Sequence, residues 1–411
     1  MTFQLDASEL ERQIATLGAI GVTPEDGLFR PVYSAGWSAA RDQLEVWMRE
    51  AGLETRFDAV GNLIGRLPGR DTTAPVILTG SHFDTVRNAG MFDGALGVLV
   101  GIAALKAIGQ RQQPPEHTIE VVAFCEEEGS RFPLSMLGSR SMFGMLNRDE
   151  LLALRDDEDE SLLDVWERFG ISIDAVLSDA RTDVGMFVEL HVEQGGTLEA
   201  RNEPVGIVSS IVGQITSALT IRGEQNHAGT TPMALRKDAL AAAAEMMLEI
   251  ERIAAADPLA VATVGTIECT GSGNVVPGET RMTLDVRHPE TAALRALWDR
   301  LTSMLPGIAD RRGVELAVED TFIDDATVMD SDVVSLIRSE ADRLGLEPWT
   351  LHSGAGHDSQ ISALRVPTGM IFTPSRGGIS HSPEEWTDMK DIVPGATLLT
   401  SVLWAAANPR H

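Results

Sequence analysis

The sequence predicts an α/β protein, a mixed sheet flanked by helices, interrupted by an inserted ferredoxin-like α+β domain. Three observations predict it. Short apolar, β-branched runs alternate with a helical run across residues 76–190, the pattern of strands wound with helices. From about residue 213 the order becomes β-α-β-β-α-β, a complete small domain in itself. After residue 325 the first pattern resumes. The expected division is therefore 1–212 with 326–411 for the first domain, and 213–325 for the insert.

Each element has a local reason. Val76–Ser81, Thr118–Cys125 and Gly185–Leu190 are brief runs of β-branched and apolar residues, suited to buried strands. Leu96–Ile108 has the length and apolar content of a buried helix, and is too short and too interrupted by glycine and Lys106 to cross a bilayer. In the insert, Ile215–Arg222, Ala260–Ile267, Glu279–Arg287 and Val314–Thr321 read as strands. Leu235–Ala256, rich in alanine, and Thr291–Leu305 read as helices. Asp332–Leu344 and Asp391–Ala407 are helical again, with a strand at Val366–Ile371 between them. The acidic run Arg155–Glu160 lacks the glycine and alternate spacing of a calcium loop and reads as a solvated loop or helix start.

Composition narrows the partners. The 411 residues carry 33 basic and 61 acidic side chains, a formal charge of −28, which would be repelled by nucleic acid or an anionic membrane surface. Only Lys106, Lys237 and Lys390 are lysines, so arginine supplies nearly all the positive charge. Two cysteines, Cys125 and Cys269, make no disulfide framework and suit a reducing cytoplasm. Residues 1–12 lack the basic patch and apolar run of a signal peptide.

The chemistry gathers at strand ends, where α/β sheets place their sites. One strand runs into Gly80-Ser81-His82-Phe83-Asp84-Thr85, followed by Phe92-Asp93-Gly94. The next ends in Cys125-Glu126-Glu127-Glu128-Gly129-Ser130-Arg131-Phe132, three consecutive carboxylates that repel one another unless a cation compensates them. Two further segments are Glu189-Leu190-His191-Val192-Glu193-Gln194-Gly195 and Ser380-His381-Ser382-Pro383. Histidines with Asp and Glu in such positions suit zinc or a similar divalent ion. Spacing alone leaves open which residues share an ion.

Together with Asn226-His227-Ala228-Gly229 and Gly354-Ala355-Gly356-His357-Asp358, these motifs resemble the M20 metallopeptidase-related amidases. The nearest branch holds N-carbamoyl-L-amino acid hydrolases, allantoate amidohydrolases and β-ureidopropionases. The resemblance spans nearly the whole chain. It implies a zinc-binding catalytic domain and an inserted domain that makes a homodimer. It also implies two divalent ions per subunit, zinc first and manganese, cobalt or nickel as alternatives. His82 and His191 would bind one ion, Glu128 and His381 the other, and Asp93 would bridge them. Asp84 would orient His82, and Glu127 would be the general base, leaving Glu126 a structural part. His227 would stabilise the tetrahedral intermediate. Gln194, Asn274, Arg287, Gly356 and His357 would meet the substrate, with Arg287 taking its carboxylate; an arginine fork matches a carboxylate on two oxygens. Because His227, Asn274 and Arg287 lie on the insert, a hinge near Gly213 and Thr327 is expected, and supply from a partner subunit stays open.

The activity this implies is hydrolysis of the carbamoyl C–N bond of a small anionic ureido acid, releasing ammonia and carbon dioxide. The alternatives are an M20-type aminoacylase or peptidase acting on an N-acyl amino acid, and a metal-free binding protein on the same fold. A phosphate loop around Asn274 is excluded by the absence of its lysine, and a dinuclear phosphoesterase is disfavoured because no basic cradle surrounds the acidic motifs.

Overall fold

The computed structural model describes residues 3–409, so His411, to which the sequence assigns no role, lies outside the described residues. The chain divides into two compact units: Met1–Ser209 with Val328–Leu351 and Ala355–His411, and Ser210–Thr327 with His352–Gly354.

The first unit is built on a mixed sheet. Among the described residues, seven of its nine strands run in the order Gly206–Ile211, Thr368–Thr373, Val184–Val192, Val76–His82, Ile119–Phe124, Leu63–Leu67, Glu54–Phe57, and Trp349–Ser353 also pairs with Gly206–Ile211. The central four strands, Thr368–Thr373 to Ile119–Phe124, are parallel, while Gly206–Ile211 and the Glu54–Leu67 hairpin pair antiparallel at either side. Val76–His82 and Ile119–Phe124 are buried at every position, which is why they read as continuous apolar runs instead of alternating ones. The helices Ala95–Gly109 and Met389–Ala406 share one core with Ile77, Val121, Val188 and Leu190. Leu78, Val122 and Phe187 belong to a second cluster with Met136, Met142 and Ile361. The expected strands and buried helix thus form within a residue or two. The N-terminal helices Ala7–Gly18 and Ala35–Glu50, capped by Asp6 and Ser34, extend the first core and are additions to the sequence-based reading.

The second unit is a four-stranded antiparallel sheet in the order Val261–Cys269, Glu279–His288, Gly213–Arg222, Glu315–Asp324. Helices Ala239–Ala254 and Thr291–Arg312 cover one face, with Leu219, Met282, Met246, Leu301 and Leu305 in their shared core. This is the ferredoxin-like order. Two helix limits differ from expectation. The first helix starts at Ala239, capped by the Asp238 side chain, after a short 3-10 turn Met233–Leu235. The second continues through Pro306 to Arg312, because Leu301, Leu305, Ile308 and Ala309 keep the buried helical spacing across the proline. That burial outweighs the roughly 3 kcal/mol a proline costs inside a helix.

The acidic run is a loop, but two of its carboxylates reach arginines outside it. Asp156 and Glu160 hold Arg131 at 3.2 and 3.0 Å, and Glu160 also pairs with Arg168. Arg131 donates to the Val32 carbonyl at 3.2 Å, so the run braces the turn that follows Glu126–Glu128. Both cysteines are free, Cys125 buried and Cys269 exposed. Among the described residues no helix is long and apolar enough to cross a membrane.

Candidate metal centre

Three parallel strands deliver their polar side chains at one end of the sheet of the first unit. His82 is the last residue of its strand, His191 the last but one of Val184–Val192, and Glu126–Glu128 begin one residue beyond Ile119–Phe124, after Cys125. The Asp93 turn enters the helix Ala95–Gly109, and His381 lies on the loop after Thr368–Thr373.

Asp93 is the hub. Its Oδ1 lies 3.2 Å from His191 Nε2 and 3.7 Å from His82 Nε2, and its Oδ2 lies 3.1 Å from His381 Nε2. Glu128 Oε1 approaches the same His381 nitrogen at 3.6 Å. Two groups result, His82–Asp93–His191 and Asp93–Glu128–His381, each with its ligand atoms within 4.8 Å of one another and both sharing Asp93. Ligand atoms about 2.0–2.1 Å from a tetrahedral ion stand about 3.4 Å apart. The separations seen here bracket that value, and the donors, imidazole and carboxylate, are those a divalent ion takes. The residues therefore fit the ion that the sequence implies.

The orientation of each imidazole is fixed from behind. His191 Nδ1 donates to the Val192 carbonyl at 2.9 Å, and His82 Nδ1 faces the Asp84 carbonyl at 3.2 Å and Asp84 Oδ1 at 3.3 Å. A carbonyl only accepts, so Nδ1 carries a proton, and Nε2 is the nitrogen turned toward Asp93 and the one that would meet an ion. Gly94 permits the approach. Its backbone has φ +60° and ψ −52°, and a Cβ there would stand 2.4 Å from the His82 ring.

Glu127 belongs to a third group with His82 and Glu128. Burial pushes its carboxyl well above the usual range, against the opposing charge of His82. Asp93 is held well below that range: burial opposes ionisation, but the His191 and His381 contacts prevail. Glu126 uses Oε1 to accept the Ser130 N–H at 2.9 Å and so builds the turn.

Other expected residues have definite places. Gln194, at φ +57°, points its amide nitrogen at Asp93 Oδ2 (3.0 Å) and Ser380 Oγ (3.2 Å). Its Oε1 is buried without a hydrogen-bond partner. His357 is 2% exposed and packs edge-on against His191, ring centres 4.4 Å apart. Gly356 precedes it, with Met136 and Gln360 nearby.

The remaining three lie in the second unit. His227 ends the short strand Asn226–His227, which pairs antiparallel with Val275–Val276, and Asn274 is on the turn before Val275; both are exposed, and the Ala228 N–H donates to the Asn274 carbonyl at 2.9 Å. His227 Nδ1 accepts the Gly229 and Thr230 N–H groups. Arg287 lines a cleft of about 760 Å³ with Thr216, Thr263, Asp285 and His352. Its fork is not free: Nε and Nη2 each donate to Asp285 at 2.9 Å, and Nη1 donates to the Gly354 carbonyl at 2.7 Å. One N–H on each terminal nitrogen is left for a ligand.

Among the buried carboxylates to which sequence reasoning gave no role, two support the site directly. Glu189 is wholly buried, taking Ser81 Oγ at 2.7 Å on one oxygen and the Ser359 N–H and Oγ at 3.0 and 2.7 Å on the other. A charge inside an otherwise apolar strand was the available signal. Glu385 is 1% exposed and had no such signal.

Residues 78–405 match the profile of Peptidase family M20/M25/M40. The chain is 39% identical over 401 residues to the allantoate amidohydrolase of Escherichia coli (strain K12), covering 97% of each chain. It is 40% identical over 411 residues to the N-carbamoyl-L-amino-acid amidohydrolase of Paenarthrobacter aurescens, covering 98% of this chain and 99% of that one. Among solved structures, an amidase of the hydantoinase/carbamoylase family from Burkholderia multivorans superposes with a TM-score of 0.93 at 33% identity, over 100% of both chains.

Proposed function

We propose that this chain, which belongs to peptidase family M20/M25/M40, hydrolyses the carbamoyl C–N bond of a small ureido acid at a centre of two divalent ions. It is a hydrolase acting on amides, as its relatives are. The observation that carries the two-ion reading is the sharing of Asp93 between two ligand groups, His82 and His191 on one oxygen, His381 on the other. Zinc suits this donor set best, with manganese, cobalt and nickel as alternatives.

Such ions, when bound, polarise an amide carbonyl and acidify water. The chain's own residues do the rest. Glu127, buried beside His82 and Glu128, takes a proton from the attacking water and passes it to the leaving nitrogen. The net reaction consumes one water and converts R–NH–CO–NH2 into R–NH2, ammonia and carbon dioxide. In this reading His227 steadies the developing oxyanion, Arg287 binds the substrate carboxylate with its two remaining N–H groups, and Asn274 adds a hydrogen bond. Gln194 orients Asp93 and His381 as much as it meets substrate, since its amide nitrogen already faces both.

The names of the relatives support N-carbamoyl-L-amino acids and allantoate as the substrates to try first. The test is a panel of N-carbamoyl amino acids, N-carbamoyl-β-alanine, allantoate and N-acetyl amino acids, with each metal, read by ammonia release and amine formation. Ammonia from a ureido acid is expected. Amine formation from N-acetyl amino acids alone would establish the aminoacylase reading instead, and fewer than one tightly held ion per subunit would favour a binding protein.

A further inference from the structure

Glu385 is four residues beyond His381 and is buried among groups that it holds. Its Oε1 accepts two consecutive backbone N–H groups, Phe92 at 2.9 Å and Asp93 at 3.0 Å. Its Oε2 accepts the Ser380 hydroxyl at 2.8 Å. The first pair belongs to the turn that carries Asp93, the second to the residue preceding His381, nearly 300 positions along the chain. Gly90 makes room for it, since a Cβ there would stand 2.4 Å from both Glu385 Cβ and Oε1.

Both oxygens of Glu385 are thus engaged by main-chain N–H groups and the Ser380 hydroxyl, not by the ligating side-chain atoms. That separates it from Glu127 and Glu128, whose ligand atoms lie within reach of His82. A carboxylate accepting two main-chain N–H groups fixes a peptide's position more firmly than a side-chain contact, because the peptide has no rotamer to change. His381 gains most from such fixing. It is the most exposed of the metal-site imidazoles, with half its side-chain surface open, and its backbone has φ +53° after Gly377 and Gly378, both also at positive φ. His82 and His191 sit on strands and need no such help.

We infer that Glu385 is a positioning residue for one half of the centre: by tying the Asp93 turn to Ser380 it sets the distance between Asp93 and His381, and so the Asp93–Glu128–His381 ion position. The inference rests on the two-ion reading proposed above. Losing Glu385 weakens the second ion and spares the one at His82–Asp93–His191, a split that a general loss of packing would not produce. Supporting groups of this kind are worth about 10–100-fold in metal affinity.

The experiment is a zinc titration of metal-stripped full-length protein against a chromophoric chelator, for wild type, Glu385→Ala, Glu385→Gln and Ser380→Ala, with the thermal midpoint of each stripped variant as the folding control. Wild type is expected to take two equivalents. Glu385→Ala should keep the tighter one and bind the other about 10–100-fold more weakly. Glu385→Gln, which retains an acceptor for the two N–H groups, should recover most of that loss. Ser380→Ala removes a single hydroxyl and should weaken the same equivalent several-fold; it decides the matter if Glu385→Ala does not fold. Two unchanged equivalents in the folded variants, or equal weakening of both, would overturn the inference alone. A wild type that takes up a single equivalent overturns the two-ion reading and the inference with it.

Discussion

Asp84 holds Glu127 by its main chain: Asp84 Oδ1 accepts the Glu127 N–H at 3.0 Å while lying 3.3 Å from His82 Nδ1. Its Oδ2 takes the Glu128 N–H at 3.1 Å. One carboxylate therefore sets the imidazole, the proposed base and a proposed ligand at once. Asp84→Asn keeps the shape but turns an N–H toward a donor on one side. Metal affinity and kcat should each fall about 10–100-fold. Glu127→Gln should leave the metal content intact and lower kcat by about 10²–10⁴. Metal analysis beside steady-state kinetics separates the two, and an Asp84→Asn protein with normal affinity and turnover would remove Asp84 from the site.

Gly94 is the position where a single methyl should disable the centre. Its φ of +60° is costly for a side-chain-bearing residue, and the added Cβ would meet the His82 ring at 2.4 Å. Gly94→Ala should destabilise the fold by about 1–2 kcal/mol through the backbone alone. The displaced ring should also cost at least about tenfold in metal affinity. Urea unfolding of the stripped protein reads the first effect and metal titration the second. A Gly94→Ala variant that binds metal as tightly as wild type would show that the turn can shift without moving His82.

Arg287 shares its fork with Asp285, so it is pre-oriented before any ligand arrives. Arg287→Leu should raise KM for carboxylate substrates about 10–100-fold, with little change in metal affinity, since each hydrogen bond to a charged group contributes about 1.5–3 kcal/mol. Arg287→Lys should recover little of this, because an ammonium cannot bridge Asp285 and a substrate as a planar fork does. An unchanged KM in Arg287→Leu would remove the role.

The site was legible where its residues punctuate a buried strand. His82, Glu126–Glu128 and His191 each interrupt an apolar run, and polar groups at such ends are rarely there for packing. Glu385 was not legible because its partners, Phe92 and Asp93, are far away in sequence and are backbone atoms, which leave no trace in side-chain pattern. The Asp285 partner of Arg287 stands two residues before it on the same strand, where alternation puts both on one face; the signal existed and was not used. In the fold, the helix that passes Pro306 shows the reverse case, a strong local stop signal overridden by the burial of Leu305 and Ile308 on either side.

Protons and metal should compete at this centre with a definite sign. In the stripped chain the His381 imidazole is raised to about 9, chiefly by its hydrogen bond to Asp93. The Glu128 carboxyl is raised to about 7, first by burial and then by the charge of Asp93. Both folded values exceed the unfolded ones, 6.5 and 4.5. The folded state therefore holds protons that the unfolded state releases, Glu128 between about pH 4.5 and 7 and His381 between about pH 6.5 and 9. Where the folded state binds more protons, stability falls as pH rises. The thermal midpoint of the stripped protein should accordingly decline from pH 5 to pH 9. Bound zinc displaces both protons, so the loaded protein should show a flatter profile, and zinc affinity should increase over the same range with measurable proton release. Scanning calorimetry of both forms, with zinc titrations in buffers of different ionisation enthalpy, tests this. A stripped protein whose midpoint rises toward pH 9 would mean that Asp93 does not hold a proton on His381, nor keep one on Glu128, as their contacts indicate.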